Sequence, residues 1–173
     1  EPMKSLRVIL DDNETGISGE LTWIPRTASI QEGHQDRTTG RVLMRSTRFN
    51  QFGSWSGELR YAGQNLVIDP ARVRGTKDRS WGIRPVGDPA PPGAPPTQTP
   101  QVFFLWAPLH WADRCTHMGL FENEHGETWH WDGMICPVYA SPDDLPGVED
   151  PGVRMLSSVE HRLEFHPGTR RAR

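Results

Sequence analysis

A run of prolines divides this chain more sharply than any other feature of its sequence. Residues 87–100, GDPAPPGAPPTQTP, contain six prolines in 14 residues. Proline lacks a backbone N–H, so this run can form almost none of the hydrogen-bond ladder of a sheet and cannot continue a helix. We therefore predict an extended linker or surface loop at 87–100, between a first β unit at 1–86 and a second β unit at 101–173.

The segments outside the linker are short, and many alternate between apolar and polar side chains. The 17 glycines and 16 prolines leave few windows long enough for a helix. Residues 54–61 have the clearest period of two, which is typical of a strand with one face in water. Residues 5–10 with 19–24, and 116–121 with 128–138, predict hairpins. We predict an all-β fold of antiparallel sheets, closed into a barrel or packed as a sandwich, with little helix.

The sequence also predicts the structure of three further segments. Residues 25–40 are polar and weakly periodic, which predicts a long exposed connection. Residues 41–45 predict a short strand. The unbroken apolar run at 102–106 is too short for an ordinary helix, so we interpret it as a strand buried on both faces.

Charge and cysteine content narrow the choice of partners and compartment. The net charge is −3, so no overall positive field recommends nucleic acid as a partner. Cys115 and Cys136 form no C-x-x-C pair, and we expect reduced thiols. No apolar run reaches membrane-spanning length, and the first residues have no signal-peptide core. We expect a cytoplasmic protein without a membrane span. The sequence begins with Glu1 and not with Met, so we expect it to be a piece of a longer chain. We also expect this piece to self-associate or to pair with the rest of that chain.

The segment before the linker, RGTKDRSWGIR at 74–84, concentrates charged, aromatic and glycine residues. As a strand it would place Asp78 on one face and Arg79 and Trp81 on the other. Arg79 or Arg84 could bond the Asp78 carboxylate with both oxygens, a geometry that makes a partly buried carboxylate tolerable. The segment is therefore either an ion-paired strand end or one wall of a cavity.

The spacing G-x-x-D-x-x-W-G at residues 75–82 resembles a signature of the hydroxyneurosporene synthase (carotenoid 1,2-hydratase) and AttH-like proteins, and KDRSWG at 77–82 resembles an RDRSWG subgroup of them. The resemblance implies lipocalin-like β-barrels, usually two per chain. It also implies an apolar terpenoid or lipid-like ligand that is hydrated, isomerised or cyclised. In the hydratase pattern a histidine follows the aspartate, whereas this chain has Arg79, which stays protonated and is a poor proton donor.

Five of the seven tryptophans lie between residues 81 and 131. Core packing explains most indoles in a small β unit, and an aromatic-walled ligand pocket is the alternative. On that alternative, we predict that an apolar small molecule contacts Trp81, Trp106 and Trp111, together with Arg79 and Arg84.

The catalytic candidates are Asp78, His110 and Asp113. His110 and Asp113 could form a general acid/base pair, and a loop histidine beside a turn-forming aspartate is the structural alternative. The pattern H-x-x-D-x-x-x-H, which ends at His117, contains residue types that bind metals, but on strands it would split them across two faces. We therefore predict no metal site and no cofactor.

Three hypotheses for function remain open. The first is a lipocalin-like enzyme that hydrates, isomerises or cyclises an apolar substrate. The second is a non-catalytic carrier that uses the same tryptophan-lined cavity for a lipid-like ligand. The third, weaker than the others, is a carbohydrate-binding β-sandwich with exposed tryptophans. No nucleophile elbow, P-loop, dinucleotide fingerprint or H-E-x-x-H motif occurs, which argues against the best-marked hydrolases, phosphotransferases and dehydrogenases.

Overall fold

The structure is a computed structural model that describes residues 3–39, 41–83, 103–164, 166–169 and 171. Its strands form two antiparallel sheets, and these residues include no α-helix, only a 3₁₀ turn at Pro142–Asp144. The all-β, antiparallel prediction is confirmed. The first sheet comprises β1 (Leu6–Leu10), β2 (Ile17–Pro25), β3 (Ile30–Gln31), β4 (Gln35–Thr39), β5 (Arg41–Tyr61), β6 (Gln64–Ile68) and β7 (Arg74–Ile83). The second comprises β8 (Phe103–Trp106), β9 (Leu109–His110), β10 (Arg114–Glu122), β11 (Thr128–Pro137) and β12 (Arg154–Met155).

The first sheet is organised around β5, which runs for 21 residues. The strands β2, β3 and β4 pair along one edge of β5, and β6 and β7 pair along the other. The short strand predicted at 41–45 is only the beginning of this element. Strand β1 continues the sheet as a hairpin with β2, as predicted. The described strands close no barrel, which agrees with the sandwich alternative.

The second sheet is built on the hairpin of β10 and β11, whose register runs from Arg114 opposite Pro137 to Glu122 opposite Thr128. This hairpin prediction is confirmed. Strand β8 pairs with the end of β10, and β9 pairs with its start. The prediction that β8 is buried on both faces is wrong, because Phe104 is half exposed and no described strand of the second sheet lies beyond β8.

The two sheets share one apolar core. Ile30 and Phe52 of the first sheet pack against Cys115, Met134 and Cys136 of the second. Burial of such side chains is the main term that stabilises packed sheets. The division into a first unit at 1–86 and a second unit at 101–173 stays a prediction. The predicted linker at 87–100 lies outside the described residues.

The segment 25–40 is not the exposed connection that its composition predicts. It contains β3 and β4, and Ile30, Glu32 and Gln35 within it are buried. Polar side chains normally indicate exposure, but Glu32 and Gln35 face other polar groups between the sheets. This correction matters for function, since Glu32 belongs to the candidate site described below.

The glycines of the 75–82 pattern have definite packing roles. A Cβ atom on Gly75 would lie 2.2 Å from Nε1 of Trp55, so glycine is needed for the indole to rest on the strand. Gly82 has φ of +132° and its Cβ would lie 2.2 Å from the carbonyl oxygen of Arg45. The two glycines therefore fix how β7 fits against β5. Within the described part of the chain, no helix has the length and hydropathy needed to cross a membrane.

Candidate functional site

The side chains between the sheets change from apolar to polar over a step of two residues along β5 and along β10. On β5, Phe52 lies in the apolar core, and Asn50 and Arg48 follow on the same face at steps of two residues. On β10, Cys115 lies in the core and His117 follows on the same face. The polar residues thus meet directly beside the shared core. We define the polar site as Glu32, Arg48, Asn50, Trp106 and His117.

Glu32 is the centre of the polar site and is only 3% exposed. Its Oε1 accepts a hydrogen bond from Asn50 Nδ2 and lies 3.3 Å from His117 Nε2. Its Oε2 lies 3.8 Å from an Arg48 guanidinium nitrogen. Burial acts to raise the pKa of Glu32, but His117, Asn50 and Arg48 together outweigh it and lower the pKa below its usual value. The site therefore contains an ionised, buried carboxylate.

Several other buried groups around this carboxylate have no hydrogen-bond partner among the described residues. His117 is completely buried, and neither ring nitrogen makes a hydrogen bond; its Nε2 is close to Glu32 but poorly aligned with it. Trp106 Nε1 and Asn50 Oδ1 are also buried without a hydrogen-bond partner, and Arg48 Nε has only its 3.6 Å ion pair with Asp78. Folded proteins satisfy nearly all such groups, because leaving one unpaired costs about 1–3 kcal/mol. The polar site therefore concentrates buried groups whose hydrogen-bonding capacity the described residues do not meet.

Gly119 leaves room beside these groups. It pairs with Trp106 on one side and with Asp132 on the other, and it follows His117 on the inner face of β10. A methyl group built on Gly119 would meet only His117 Nε2 within 4 Å among the described residues, at 3.7 Å. Trp106 packs edge-on to His117 with ring centroids 6.2 Å apart. The inner face of the second sheet therefore has a niche at Gly119, bordered by the indole and the imidazole.

A second carboxylate–imidazole pair lies on the far side of this niche. His130 Nε2 and Asp132 Oδ2 are 2.8 Å apart, and the backbone N–H of Gly33 donates to Asp132 Oδ1 at 2.8 Å. Burial acts to raise the pKa of Asp132, but the bonds from His130 and Gly33 lower it below its usual value. The two members lie two residues apart on β11 and so share its inner face, and the H-x-D spacing at 130–132 is the local signal for this pair.

Asp78 borders the polar site and lies on the face of β7 opposite to that of Arg79 and Trp81, as strand alternation predicts. It lies opposite Asn50 on β7, its side chain is 37% exposed, and its Oδ1 is 3.6 Å from Arg48 Nε. The prediction that Arg79 is its partner is wrong, because strand alternation places Arg79 on the opposite face and Arg48 approaches instead. Arg84, the other predicted partner, lies outside the described residues.

Trp81 and Trp106 do not line one pocket, contrary to prediction. Trp81 is 52% exposed and packs edge-on against Phe49 on the outer face of the first sheet, with centroids 5.9 Å apart. Trp106 lies on the inner face of the second sheet beside His117. The alternation of side chains along β7 explains the position of Trp81. Asp78 points towards the polar site, and Trp81, three residues later, must point to the opposite face.

His110 lies beside the apolar core and away from the polar site. Its ring packs edge-on against Phe52 at 5.1 Å, and its Nδ1 is 3.5 Å from an Arg26 guanidinium nitrogen. Burial and the charges of Arg26 and Arg74 lower the pKa of His110 to about 4. A neutral imidazole in this position cannot act as an imidazolium acid near pH 7, so the structure does not favour His110 as a general acid.

The last two predicted residues are at the surface. Asp113 is 71% exposed and pairs with Arg114 at 2.8 Å in the turn between β9 and β10. Trp111 is half exposed, and its Nε1 donates to Thr116 Oγ1 at 3.1 Å. The predicted pairing of His110 with Asp113 is therefore replaced by separate contacts with Arg26 and Arg114.

Both cysteines are buried free thiols. Burial raises the pKa of Cys115 to about 11 and that of Cys136 to about 12, so both thiols stay protonated near neutrality. The described residues include no group of three or more His, Cys, Asp or Glu side chains that could bind a metal ion.

Two grooves lie on outer surfaces of the molecule. One, of about 490 Å³, runs across β1, β2 and β5 and includes Asp11, Asp12, Glu20 and Glu58. The other, of about 260 Å³, lies on the outer face of the second sheet beside Trp131. Neither groove is lined by a predicted site residue.

Comparison with known proteins identifies the family alone. The model of the Family of unknown function (DUF8625) matches residues 1–173, and the chain belongs to this family. No curated protein matches the sequence significantly. No solved structure matches it either.

Proposed function

We propose that this member of a family of unknown function binds an apolar small molecule between its two sheets, and that His117 and Glu32 exchange a proton with it in a hydration, isomerisation or cyclisation. The observation that carries the proposal is the complete burial of His117, whose Nδ1 has no partner among the described residues and whose Nε2 has only the 3.3 Å contact with Glu32 Oε1, beside the space at Gly119. A ligand in the niche would give these nitrogens partners and would exclude water from them.

The pairing of His117 with Glu32 supports proton transfer. A neutral imidazole has one donor and one acceptor nitrogen, so it can take a proton at one position and release it at another. The ionised carboxylate of Glu32, at 3.3 Å from Nε2, stabilises the imidazolium that forms when the ring takes a proton. Among the catalytic candidates named from the sequence, Asp78 is the one that borders this pair, through Arg48.

The walls of the niche support an apolar ligand. Trp106 borders the niche, and Phe104 and Phe121 continue the same inner face, with ring centroids 4.6 Å apart. An indole face also stabilises positive charge that develops on carbon during hydration or cyclisation. The resemblance of residues 75–82 to hydroxyneurosporene synthase and AttH-like proteins points to the same lipocalin-like use of an apolar cavity. That segment forms β7, whose Asp78 borders the polar site.

The test measures binding first and turnover second. N-phenyl-1-naphthylamine, an uncharged fluorophore that brightens in apolar surroundings, serves as the probe. We expect saturable binding to the wild-type chain and loss of binding in Gly119→Val, because the valine side chain occupies the niche. Thr128→Val, at an exposed strand position, is the matched control and should bind normally. Binding that is equal in Gly119→Val and wild type would contradict the proposed location.

Turnover separates an enzyme from a carrier. Native mass spectrometry of the purified protein identifies retained lipids, which are then incubated with wild type, His117→Gln, Glu32→Gln and Asp113→Asn. We expect conversion by wild type and by the exposed-carboxylate control Asp113→Asn, and at least a hundredfold slower conversion by the other two variants. Retention of the same lipid unchanged by all four proteins would identify a non-catalytic carrier.

A further inference from the structure

The part of the first sheet that is formed by β1, β2, residues 54–61 of β5 and β6 has one charged face and one apolar face. Its charged side chains are Arg7, Glu20, Glu58 and Arg60. They share one face, because Arg7 bonds Glu20 at 2.6 Å and both Glu58 and Arg60 border the larger groove together with Glu20. The residues between them along each strand point to the opposite, outer face of the sheet. Within these described stretches, that outer face has no charged side chain.

Six large side chains of this outer face are exposed although they are aliphatic or aromatic. They are between 37% and 62% exposed: Leu6, Val8, Leu10, Ile17, Tyr61 and Leu66. The strand register joins them into one surface, because Leu21 and Leu59 lie between them on the central strands. We call these eight residues the outer apolar face. The face exposes on the order of 500 Å², the size at which an apolar patch on a monomer marks an interaction site.

We propose that the outer apolar face binds the same face of a second copy of this chain, forming a two-fold symmetric dimer. An antiparallel sheet ordinarily packs its apolar face against another layer and leaves its charged face in water. In the single chain the apolar face is the one left exposed. Two copies packed face to face bury on the order of 1,000 Å² in total, which is the area that a specific interface needs.

The charges at the two ends of this face favour a second copy in antiparallel orientation. Beyond the end of β1, the turn to β2 contains Asp11, Asp12 and Glu14. At the opposite end of the face, Lys77 Nζ lies over the Trp23 ring, 4.8 Å from its centroid. A two-fold axis in the interface, perpendicular to the strands, brings the acidic turn of one copy to the Lys77 end of the other. An anionic membrane would repel the same carboxylates, so a lipid surface fits this face less well.

The dimer surface is separate from the polar site. On β5 the outer apolar face includes Leu59 and Tyr61, whereas Arg48 and Asn50 of the polar site point to the inner face. The dimer therefore does not depend on the proposed function, and either proposal can fail without the other.

Neighbouring residues of one strand supply matched variants. Leu66 and Val67 are 59% and 68% exposed, and their register with β5 places them on opposite faces. Leu66→Lys puts a positive charge into the proposed interface, and Val67→Lys puts the same charge on the other face. On β1, Leu10→Lys and Ile9→Lys repeat this comparison.

Sedimentation velocity of the full chain at about 1–100 µM measures the dissociation constant of the dimer. We expect wild type, Val67→Lys and Ile9→Lys to dimerise with similar constants, and the constant to rise about tenfold or more in Leu66→Lys and Leu10→Lys. Circular dichroism checks that each variant is folded. A wild-type chain that stays monomeric throughout would overturn the dimer. Equal dissociation constants for Leu66→Lys and Val67→Lys would overturn the proposed face.

Vesicle flotation separates a second copy from a lipid surface. Neutral phosphatidylcholine vesicles are the probe, because their headgroups do not repel the acidic turn. We expect wild type to stay in the unbound fraction. Flotation of wild type that is lost in Leu66→Lys and kept in Val67→Lys would assign the outer apolar face to a membrane and overturn the dimer.

Discussion

The space between the two sheets has an apolar end and a polar end, and the same strands build both. Strand β5 contributes Phe52 to one and Asn50 to the other, while β10 contributes Cys115 and then His117. All four side chains are essentially inaccessible to water. At the apolar end the side chains complete each other's packing, whereas at the polar end buried nitrogen and oxygen atoms have no partners. The comparison predicts that the apolar end contributes more to stability than the polar end, which is where we propose that a ligand binds.

The largest effect should come from breaking the apolar end. Phe52→Ala removes a completely buried ring from the interface of the sheets and leaves a cavity, so we expect a loss of about 3–5 kcal/mol in the free energy of unfolding. Chemical denaturation measures it. Phe49→Ala, on the outer face of the same strand, is the control and should cost less than half as much. Equal losses would show that the inner core does not dominate stability.

An intermediate effect should appear as a pH dependence of stability that arises from His110, beside the apolar end. His110 has a pKa of about 4 in the folded protein, against 6.5 for the free side chain. As the pH falls, His110 therefore takes up a proton in the unfolded chain before it does so in the folded protein. The contribution of His110 to the free energy of unfolding is complete above pH 6.5 and is lost between pH 6.5 and 4. Allowing for partial exposure, we expect a loss of about 2 kcal/mol over this range.

Thermal denaturation at several pH values checks the role of His110. His110→Gln removes the titrating group, so its melting temperature should change less between pH 6.5 and 4.5 than that of wild type. His125→Gln, at an exposed turn, serves as the matched control and should follow wild type. If His110→Gln and wild type lose stability in parallel over this range, another group is responsible.

The smallest effect on stability should come from the polar end. His117→Leu removes one of the groups that lower the pKa of the buried Glu32, which keeps its contacts with Asn50 and Arg48. We expect the free energy of unfolding at pH 7 to fall by about 1 kcal/mol. Binding of the naphthylamine probe should nevertheless weaken. A destabilisation as large as that of Phe52→Ala would show that both ends join the sheets, and the contrast between them would disappear.

Much of the fold follows from local sequence, and most of the site does not. The hairpin β10–β11 is predicted by its alternation and by the turn between its strands, because strand period and turn chemistry are local properties. Among the site residues, Asp78 was identified from the 75–82 pattern, and His117 only as a member of a weak metal-like spacing. Glu32 lies in a segment whose composition predicts exposure, so sequence reasoning placed it in a loop.

The sequence by itself determined an all-β chain, the pairing of neighbouring strands and which residues of each strand share a face. These depend on backbone restrictions at glycine and proline and on the period of two, which act over a few residues. Only the tertiary structure decided that Glu32, Arg48 and His117 converge and that Trp81 and Trp106 do not. Glu32 and His117 are separated by 84 intervening residues; Glu32 follows β3 of the first sheet and His117 lies on β10 of the second, so their contact depends on how the two sheets pack. No local rule fixes that packing, because it is set by the sum of long-range contacts in the shared core.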